Sequence, residues 1–225
     1  MSATYEVHET ATVHPSATIG NGSIIGPFAR IGDGVAIGDH VRIEEDTKIG
    51  DWAIIGDDAW IGEAVTIHAN AVIGSAVHID NDARIGAHAV LDLGSFVGMG
   101  SVIEPGCTIQ TWARIGDRST VGLHTTVMSR AVIGDRARVG QWSNIGERSE
   151  VGDRAHVGDE VKIGRNVRIG YRAVIGNYAA VCDHAEVQDG AVVAQWTNVG
   201  ADAVVAPCAF VPNNGFLAAV TKGVR

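Results

Sequence analysis

The hexad Ile115-Gly116-Asp117-Arg118-Ser119-Thr120 opens a run, continuing to Gly176, that repeats every six residues. Each hexad in this run begins with Ile or Val, its second residue is nearly always Gly, and its fifth is small. Steps of six from Val7 reach Val211 without an insertion, and each of the 35 positions is Val, Ile or Leu. A fixed short period is typical of a solenoid, and hexapeptide repeats indicate a parallel β-helix.

The hexad has a simple physical reading. Side chains alternate faces along a strand, so the first residue points inward, and the fifth points inward near a corner where only a small side chain fits. We expect the glycine at the second position to supply the backbone angles that the corner needs. Three hexads make one triangular coil, and stacked coils pair their backbone groups in parallel ladders.

The sequence therefore predicts one all-β domain. It consists of a lead-in over 1–6, a single parallel β-helix over 7–211 and a short capping tail over 212–225. At three hexads per coil, the β-helix has about 11–12 triangular coils.

Composition limits the function. The net charge of −9 argues against a nucleic-acid binder, and no apolar run is long enough to span a membrane. Residues 1–6 contain no basic and apolar signal region, so cytoplasmic residence is expected. The three cysteines have no metal-like spacing, and Cys107 falls at a small inward position, which predicts a core residue.

Residues 18 apart stack on successive coils, about 4.8 Å from one another. One corner, the arginine corner, carries Arg118, Arg136, Arg154 and Arg172, and aspartates precede the first three. Two interpretations are open. The column is either a solvated ladder in which the aspartates neutralise the arginines, or a groove for an anion or phosphate.

A second corner, the aromatic corner, collects aromatic and histidine residues. Its column is Trp52, Asn70, His88, Gly106, His124, Trp142, Glu160, Tyr178 and Trp196. Beside it, the column Ile54, Val72, Val90 faces outward on a flat side. Exposed aromatic and aliphatic groups in one region indicate a subunit interface, a ligand cleft at that interface, or both.

The opening coils resemble a known family. The segments Val13-His14-Pro15-Ser16-Ala17-Thr18-Ile19-Gly20 and Ile25-Gly26-Pro27-Phe28-Ala29 are similar to the first coils of the UDP-N-acetylglucosamine acyltransferases. More broadly, residues 7–211 resemble the hexapeptide-repeat acyltransferase superfamily. The resemblance implies a left-handed β-helix, a homotrimer, and transfer of an acyl group from acyl-CoA, as co-substrate, or acyl carrier protein to a sugar or amino acid.

In that superfamily a histidine at a subunit junction acts as general base. Val65-Thr66-Ile67-His68-Ala69-Asn70 resembles the sequence around that base, which makes His68 a candidate. His88 and His124 are candidates because they lie on the aromatic corner. On the same corner, Trp142, Trp52 and Asn70 are candidate substrate-binding residues.

The sequence leaves two other interpretations besides an acyltransferase. A non-catalytic β-helix, used as a scaffold or assembly module, is favoured by the unbroken period and by the absence of a Gly-x-Pro-Ala segment. A zinc enzyme like the γ-type carbonic anhydrases needs two histidines five residues apart, and no pair here has that spacing. We therefore expect no metal.

Overall fold

The computed structural model describes residues 4–218 and consists of 36 two-residue strands in three parallel sheets of 12 strands each. Sheet A contains Glu6–Val7, Ile24–Ile25, Arg42–Ile43, Trp60–Ile61, His78–Ile79, Phe96–Val97, Arg114–Ile115, Val132–Ile133, Glu150–Val151, Arg168–Ile169, Glu186–Val187 and Val204–Val205. Sheet B contains Thr12–Val13, Arg30–Ile31, Lys48–Ile49, Thr66–Ile67, Arg84–Ile85, Val102–Ile103, Thr120–Val121, Arg138–Val139, His156–Val157, Val174–Ile175, Val192–Val193 and Phe210–Val211. Sheet C contains Thr18–Ile19, Ala36–Ile37, Ile54–Ile55, Val72–Ile73, Val90–Leu91, Thr108–Ile109, Thr126–Val127, Asn144–Ile145, Lys162–Ile163, Ala180–Val181, Asn198–Val199 and Phe216–Leu217.

Each coil gives one strand to every sheet, so the protein is a β-helix of 12 coils. The expected all-β, left-handed β-helix is confirmed, as is the expected number of coils. The register is 18 residues throughout, as in the pairing of Glu6 with Ile24. The ladder continues beyond Val211, because Phe216–Leu217, within the expected capping tail, is the last strand of sheet C. Residues 1–3 of the lead-in and 219–225 of the tail lie outside the described residues.

The core is built from the first and fifth residues of each hexad. Ile133 and Ala137, for example, are both fully buried. Where the fifth residue carries a buried hydroxyl, a neighbouring coil satisfies it in most hexads. Ser119 donates to the Gly134 carbonyl at 2.6 Å and accepts from the backbone N–H of Ala137 at 3.1 Å. Buried hydroxyl groups thus add directional bonds between coils. Ser95 is an exception, because its Oγ is buried without a hydrogen-bond partner among the described residues.

The glycine at the second position has a steric role. Within residues 4–218, positive φ angles occur at the fourth position of the hexad, as in Arg118 (55°) and Trp142 (58°), and at no second-position glycine. The expectation that this glycine supplies unusual backbone angles is therefore wrong. A Cβ on Gly116 would lie 2.8 Å from the backbone nitrogen of Asp135, which is closer than real Cβ atoms approach. Glycine lets successive coils come together at this point.

The aspartates of the arginine corner cap the backbone. The carboxylate of Asp117 accepts the N–H of Met99 at 3.0 Å, and that of Asp153 accepts the N–H of Asp135 at 2.9 Å. Within residues 4–218, no carboxylate lies within 4.0 Å of a guanidinium nitrogen of the four stacked arginines. The aspartates are therefore bonded to the backbone of the preceding coil and do not form the neutralising ladder that one interpretation expected.

Candidate functional site

The arginine corner joins sheet A to sheet B, and the aromatic corner joins sheet B to sheet C. His88 and His124 are exposed turn residues of the aromatic corner, with φ angles of 58° and 54°. Each donates its backbone N–H to the preceding coil: His88 to Ala69 at 3.2 Å and His124 to Pro105 at 3.1 Å. Their side chains therefore project from a backbone that is hydrogen-bonded to the preceding coil.

His124 stacks on Trp142. The ring centroids are 4.3 Å apart, with an interplanar angle of 26°. The other face of the imidazole lies over Gly106, where a side chain would collide with the ring. A ligand that stacks on Trp142 must therefore use the indole face turned away from His124. The two side chains share a site, but the imidazole occupies one face of the predicted stacking platform.

The predicted substrate-binding residues fall into two groups. Asn70 belongs to the same hexad as His68, Trp52 is one coil earlier, and His88 is one coil later. Trp52 and Trp142 are five coils apart, which at the strand spacing is roughly 24 Å. The structure thus does not bring the two tryptophans together, and one small molecule cannot contact both within a single chain.

His68 lies in a groove on sheet B beside the aromatic corner. Most second-position residues at this edge are glycines, but His68 and Glu104 are two of the exceptions, with Gly86 between them. Together with Arg84, Ala87, Val102 and Pro105 they line a cavity of about 280 Å³. Of the three predicted bases, His68 is the one that lines this groove.

The groove combines three useful groups: an imidazole, a guanidinium and a carboxylate. The imidazole of His68 can accept a proton, the Arg84 guanidinium can hold an anionic group, and Glu104 can accept hydrogen bonds from hydroxyl or amino groups. Arg84 and Glu104 were not predicted as site residues. The signal was present for Glu104, because it interrupts the glycine column two coils from His68.

A second aromatic cluster lies on sheet A and was not predicted. His78 stacks between Trp60, at 4.2 Å between ring centroids, and Phe96, at 5.2 Å. These residues are 18 apart on the outward face of successive strands, so reading that column would have revealed them. Burial among the rings lowers the pKa of His78 below 6.5, and the nearby charge of Asp80 partly offsets this.

Cys107 is a core residue, as predicted. It is fully buried and its Sγ donates to the Gly122 carbonyl at 2.9 Å. Burial raises the pKa of its thiol to about 11, so the reactive thiolate is scarce at neutral pH.

Among residues 4–218, no three His, Cys, Asp or Glu side chains are grouped so as to hold a metal ion. Over the same part of the chain, no helix has the length and apolar character needed to cross a bilayer.

Three parallel sheets wound from an unbroken hexapeptide period define a hexapeptide-repeat β-helix protein. The family model described as GMPPB C-terminal domain matches residues 7–79 and 73–163, which together span more than half of the chain. The chain belongs to this family. A search of curated proteins finds no match to it.

Solved structures of acyltransferases are also similar to this chain. Perosamine N-acetyltransferase from Caulobacter crescentus, a mutant in complex with CoA and GDP-perosamine, is 25% identical with a TM-score of 0.30; 62% of this chain and 54% of that one are covered. The chain thus spans about half the length of that enzyme. UDP-N-acetylglucosamine acyltransferase from Campylobacter jejuni is 15% identical, with a TM-score of 0.40 and coverage of 92% and 71%. The Francisella novicida enzyme of the same name is 21% identical, with a TM-score of 0.31 and coverage of 96% and 68%.

Proposed function

We propose that the protein is an acyltransferase that moves an acyl group from acyl-CoA to an amino or hydroxyl group of a sugar or nucleotide sugar. The observation that carries this proposal is the groove lined by His68, Arg84 and Glu104. His68 and Glu104 stand at the second hexad position, where most hexads have glycine. Their side chains bring a proton acceptor and hydrogen-bonding groups into a concave surface beside the aromatic corner.

His68 is the proposed general base. It takes the proton from the acceptor nitrogen or oxygen as that atom attacks the thioester carbonyl. The carbon–sulfur bond breaks, the thiolate leaves and is protonated, and the products are the acylated acceptor and free CoA. Arg84 is proposed to hold a phosphate of the nucleotide sugar or of CoA, and Glu104 to orient the acceptor.

His88 and Asn70 extend the proposed site from the groove to the aromatic corner. His88 is on the coil after His68, and Asn70 is on the same hexad. His124 and Trp142 lie farther along the corner and form a separate stacked pair. His124 is one coil beyond Pro105, which lines the groove, so we assign the stacked pair to a part of the ligand that extends from the groove along the corner, such as part of acyl-CoA.

The proposed assembly is a homotrimer with parallel axes. Trp52 on the aromatic corner is 60% exposed, and Ile54 on the adjoining face of sheet C is 50% exposed. Viewed along the axis of a triangular prism, the direction from the centre to a corner and the direction to the neighbouring face differ by about 60°. In a ring of three subunits, the directions from one subunit to its two neighbours also differ by about 60°. A contact between the aromatic corner of one subunit and sheet C of the next therefore closes at three copies.

The test is a panel of acyl-CoA donors and amino-sugar nucleotides, with free CoA and the acylated product measured by mass spectrometry. The wild type is expected to turn over at least one pair. His68→Ala is expected to lose about 10²- to 10⁴-fold in rate, the usual range for removing a general base. Turnover that slows tenfold in His88→Ala or His124→Ala and not in His68→Ala would move the base to those positions.

A second candidate function is a scaffold or assembly module without catalysis. Two observations favour it: the 12 coils carry no inserted loop, and the family is described as the C-terminal domain of another protein. A folded protein that neither turns over any pair nor binds CoA would favour this function over acyl transfer. Cytoplasmic residence stays a prediction under either function.

A further inference from the structure

The arginine corner lies at the opposite edge of sheet B from the groove around His68. Arg118, Arg136, Arg154 and Arg172 hold the same turn position in four successive coils, with φ angles of 54–58°. Their Cα atoms are therefore stacked at the coil spacing of about 4.8 Å. Gly100 and Gly190 occupy the same position on the coils before and after, so the column has two defined ends.

The four arginines are exposed, and within residues 4–218 none of their guanidinium groups is paired with a carboxylate. The aspartates beside them are held by backbone N–H groups, as shown by the 2.9 Å bond from Asp117 to Asp135. Arginine projects farther from the backbone than aspartate does. An approaching anion therefore meets the guanidinium groups before the carboxylates.

Tyr171 interrupts the aspartate column at the end of the ladder. Its hydroxyl accepts a hydrogen bond from Nη1 of Arg154 at 3.1 Å, and the guanidinium of Arg172 lies 4.9 Å from its ring centroid. The tyrosine thus orders two arginines and removes the carboxylate that other coils place between them. Among the described residues, the backbone N–H of Asp153 has no acceptor, because tyrosine cannot cap it as an aspartate would.

Met99, Arg118, Arg136, Arg154 and Tyr171, with the intervening aspartates, line a groove of about 400 Å³. Guanidinium groups bind phosphate oxygens through paired, charge-assisted hydrogen bonds. We propose that the arginine corner binds a ligand with linked phosphate groups, a diphosphate or longer, each phosphate bridging arginines of adjacent coils. This site is independent of the proposed acyl transfer, because it uses none of the residues of the His68 groove.

The experiment is calorimetric titration at low ionic strength with inorganic diphosphate, inorganic tripolyphosphate, UDP and CoA. The key variant is the double substitution Arg136→Gln with Arg154→Gln. The matched control is Arg130→Gln with Arg148→Gln on the third corner, where both arginines hold the same turn conformation, with φ angles of 60° and 57°. The control removes the same charge from the protein. On that corner Nε of Arg148 lies 3.6 Å from Oε1 of Glu147.

The key variant is expected to weaken diphosphate binding at least about tenfold, and the control less than about twofold, because direct charge-assisted bonds outweigh screened charge at a distance. Tyr171→Asp is expected to weaken binding about fivefold without lowering the unfolding temperature, because the new carboxylate repels the anion and also caps Asp153. Equal losses in the key and control pairs, or no binding of any phosphate probe by the wild type at about 1 mM, would overturn the proposal. Binding of UDP or CoA but not of inorganic phosphates would also overturn it, because the recognised group would then not be the phosphate chain.

Discussion

The carboxylate of Asp135 accepts a hydrogen bond from the backbone N–H of Asp117, and the distance is 2.9 Å. This contact joins the corner of one coil to the corner of the next, and Gly116 leaves the space for it. Asparagine takes the same role elsewhere: the side-chain oxygen of Asn177 accepts the N–H of Asp159 at 3.0 Å.

Asp135→Ala is expected to lower the free energy of unfolding by about 1 kcal/mol, the usual contribution of one hydrogen bond. Asp135→Asn is expected to be nearly neutral, because the amide oxygen accepts the same N–H. Urea denaturation of the two variants and the wild type provides the measurement. Equal destabilisation by Ala and Asn would show that the negative charge, and not the acceptor, stabilises the corner.

The inward register is tested at Ile133, which is fully buried. Ile133→Asp is expected to prevent folding, because it places an unpaired charge among aliphatic side chains. The control is Val132→Asp, which changes the exposed residue next to it on the same strand. Circular dichroism and a cooperative melt distinguish folded from unfolded protein, and a folded Ile133→Asp variant would refute the register.

The proposed trimer interface joins the aromatic corner of one subunit to sheet C of the next. It predicts that Ile54→Arg separates the subunits, because the charge would be buried against the neighbouring aromatic corner. Light scattering of the wild type is expected to give about three times the chain mass of 23.5 kDa, and that of the variant the chain mass itself. Val204→Arg is the control, since Val204 holds the same hexad position on sheet A and is 49% exposed, against 50% for Ile54. A trimer that persists in the Ile54→Arg variant would show that the subunit interface lies elsewhere.

His78 predicts a pH dependence of stability. Burial lowers its pKa below 6.5 in the folded state, so the unfolded chain binds the proton more readily. The stability that neutral His78 contributes is fully present above pH 6.5, the pKa of the unfolded chain. It is lost as the pH falls through the lower pKa of the folded state.

His78→Phe removes this loss and continues the stack between Trp60 and Phe96. Its gain in unfolding free energy over the wild type is expected to grow as the pH falls from about 7.5 to about 5. His156→Phe, at the same hexad position but exposed on sheet B, is the control. Parallel pH profiles for wild type and His78→Phe would contradict the assignment.

The fold was predictable because the six-residue period is visible directly in the sequence. A side chain every six residues must point inward in each coil, so the spacing from Val7 to Val211 determines strands, register and core together. The period also continues to Leu217, one hexad past the predicted boundary. The sequence predicts a cap there because the apolar run Phe216-Leu217-Ala218-Ala219-Val220 is able to cover the last exposed coil.

The site was less predictable. The columns correctly placed His124 next to Trp142, but the sequence does not say that the imidazole covers one indole face. Position in a column fixes where a Cα atom lies, whereas ring orientation depends on rotamers and on a neighbour such as Gly106. The groove around His68 depends on which second-position residues are not glycine, a pattern of exceptions that a search for regular columns overlooks.

The most direct test of the central claim is the acceptor-dependent rate of CoA release by wild type, His68→Ala and His14→Ala. His14 holds the second hexad position at the same edge of sheet B, three coils before His68, and outside the groove. The account predicts that the wild type releases CoA, that His14→Ala stays within about twofold of it, and that His68→Ala falls by about 10² or more. CoA release that is unchanged in His68→Ala, or no release from any donor by the folded wild type, would contradict it.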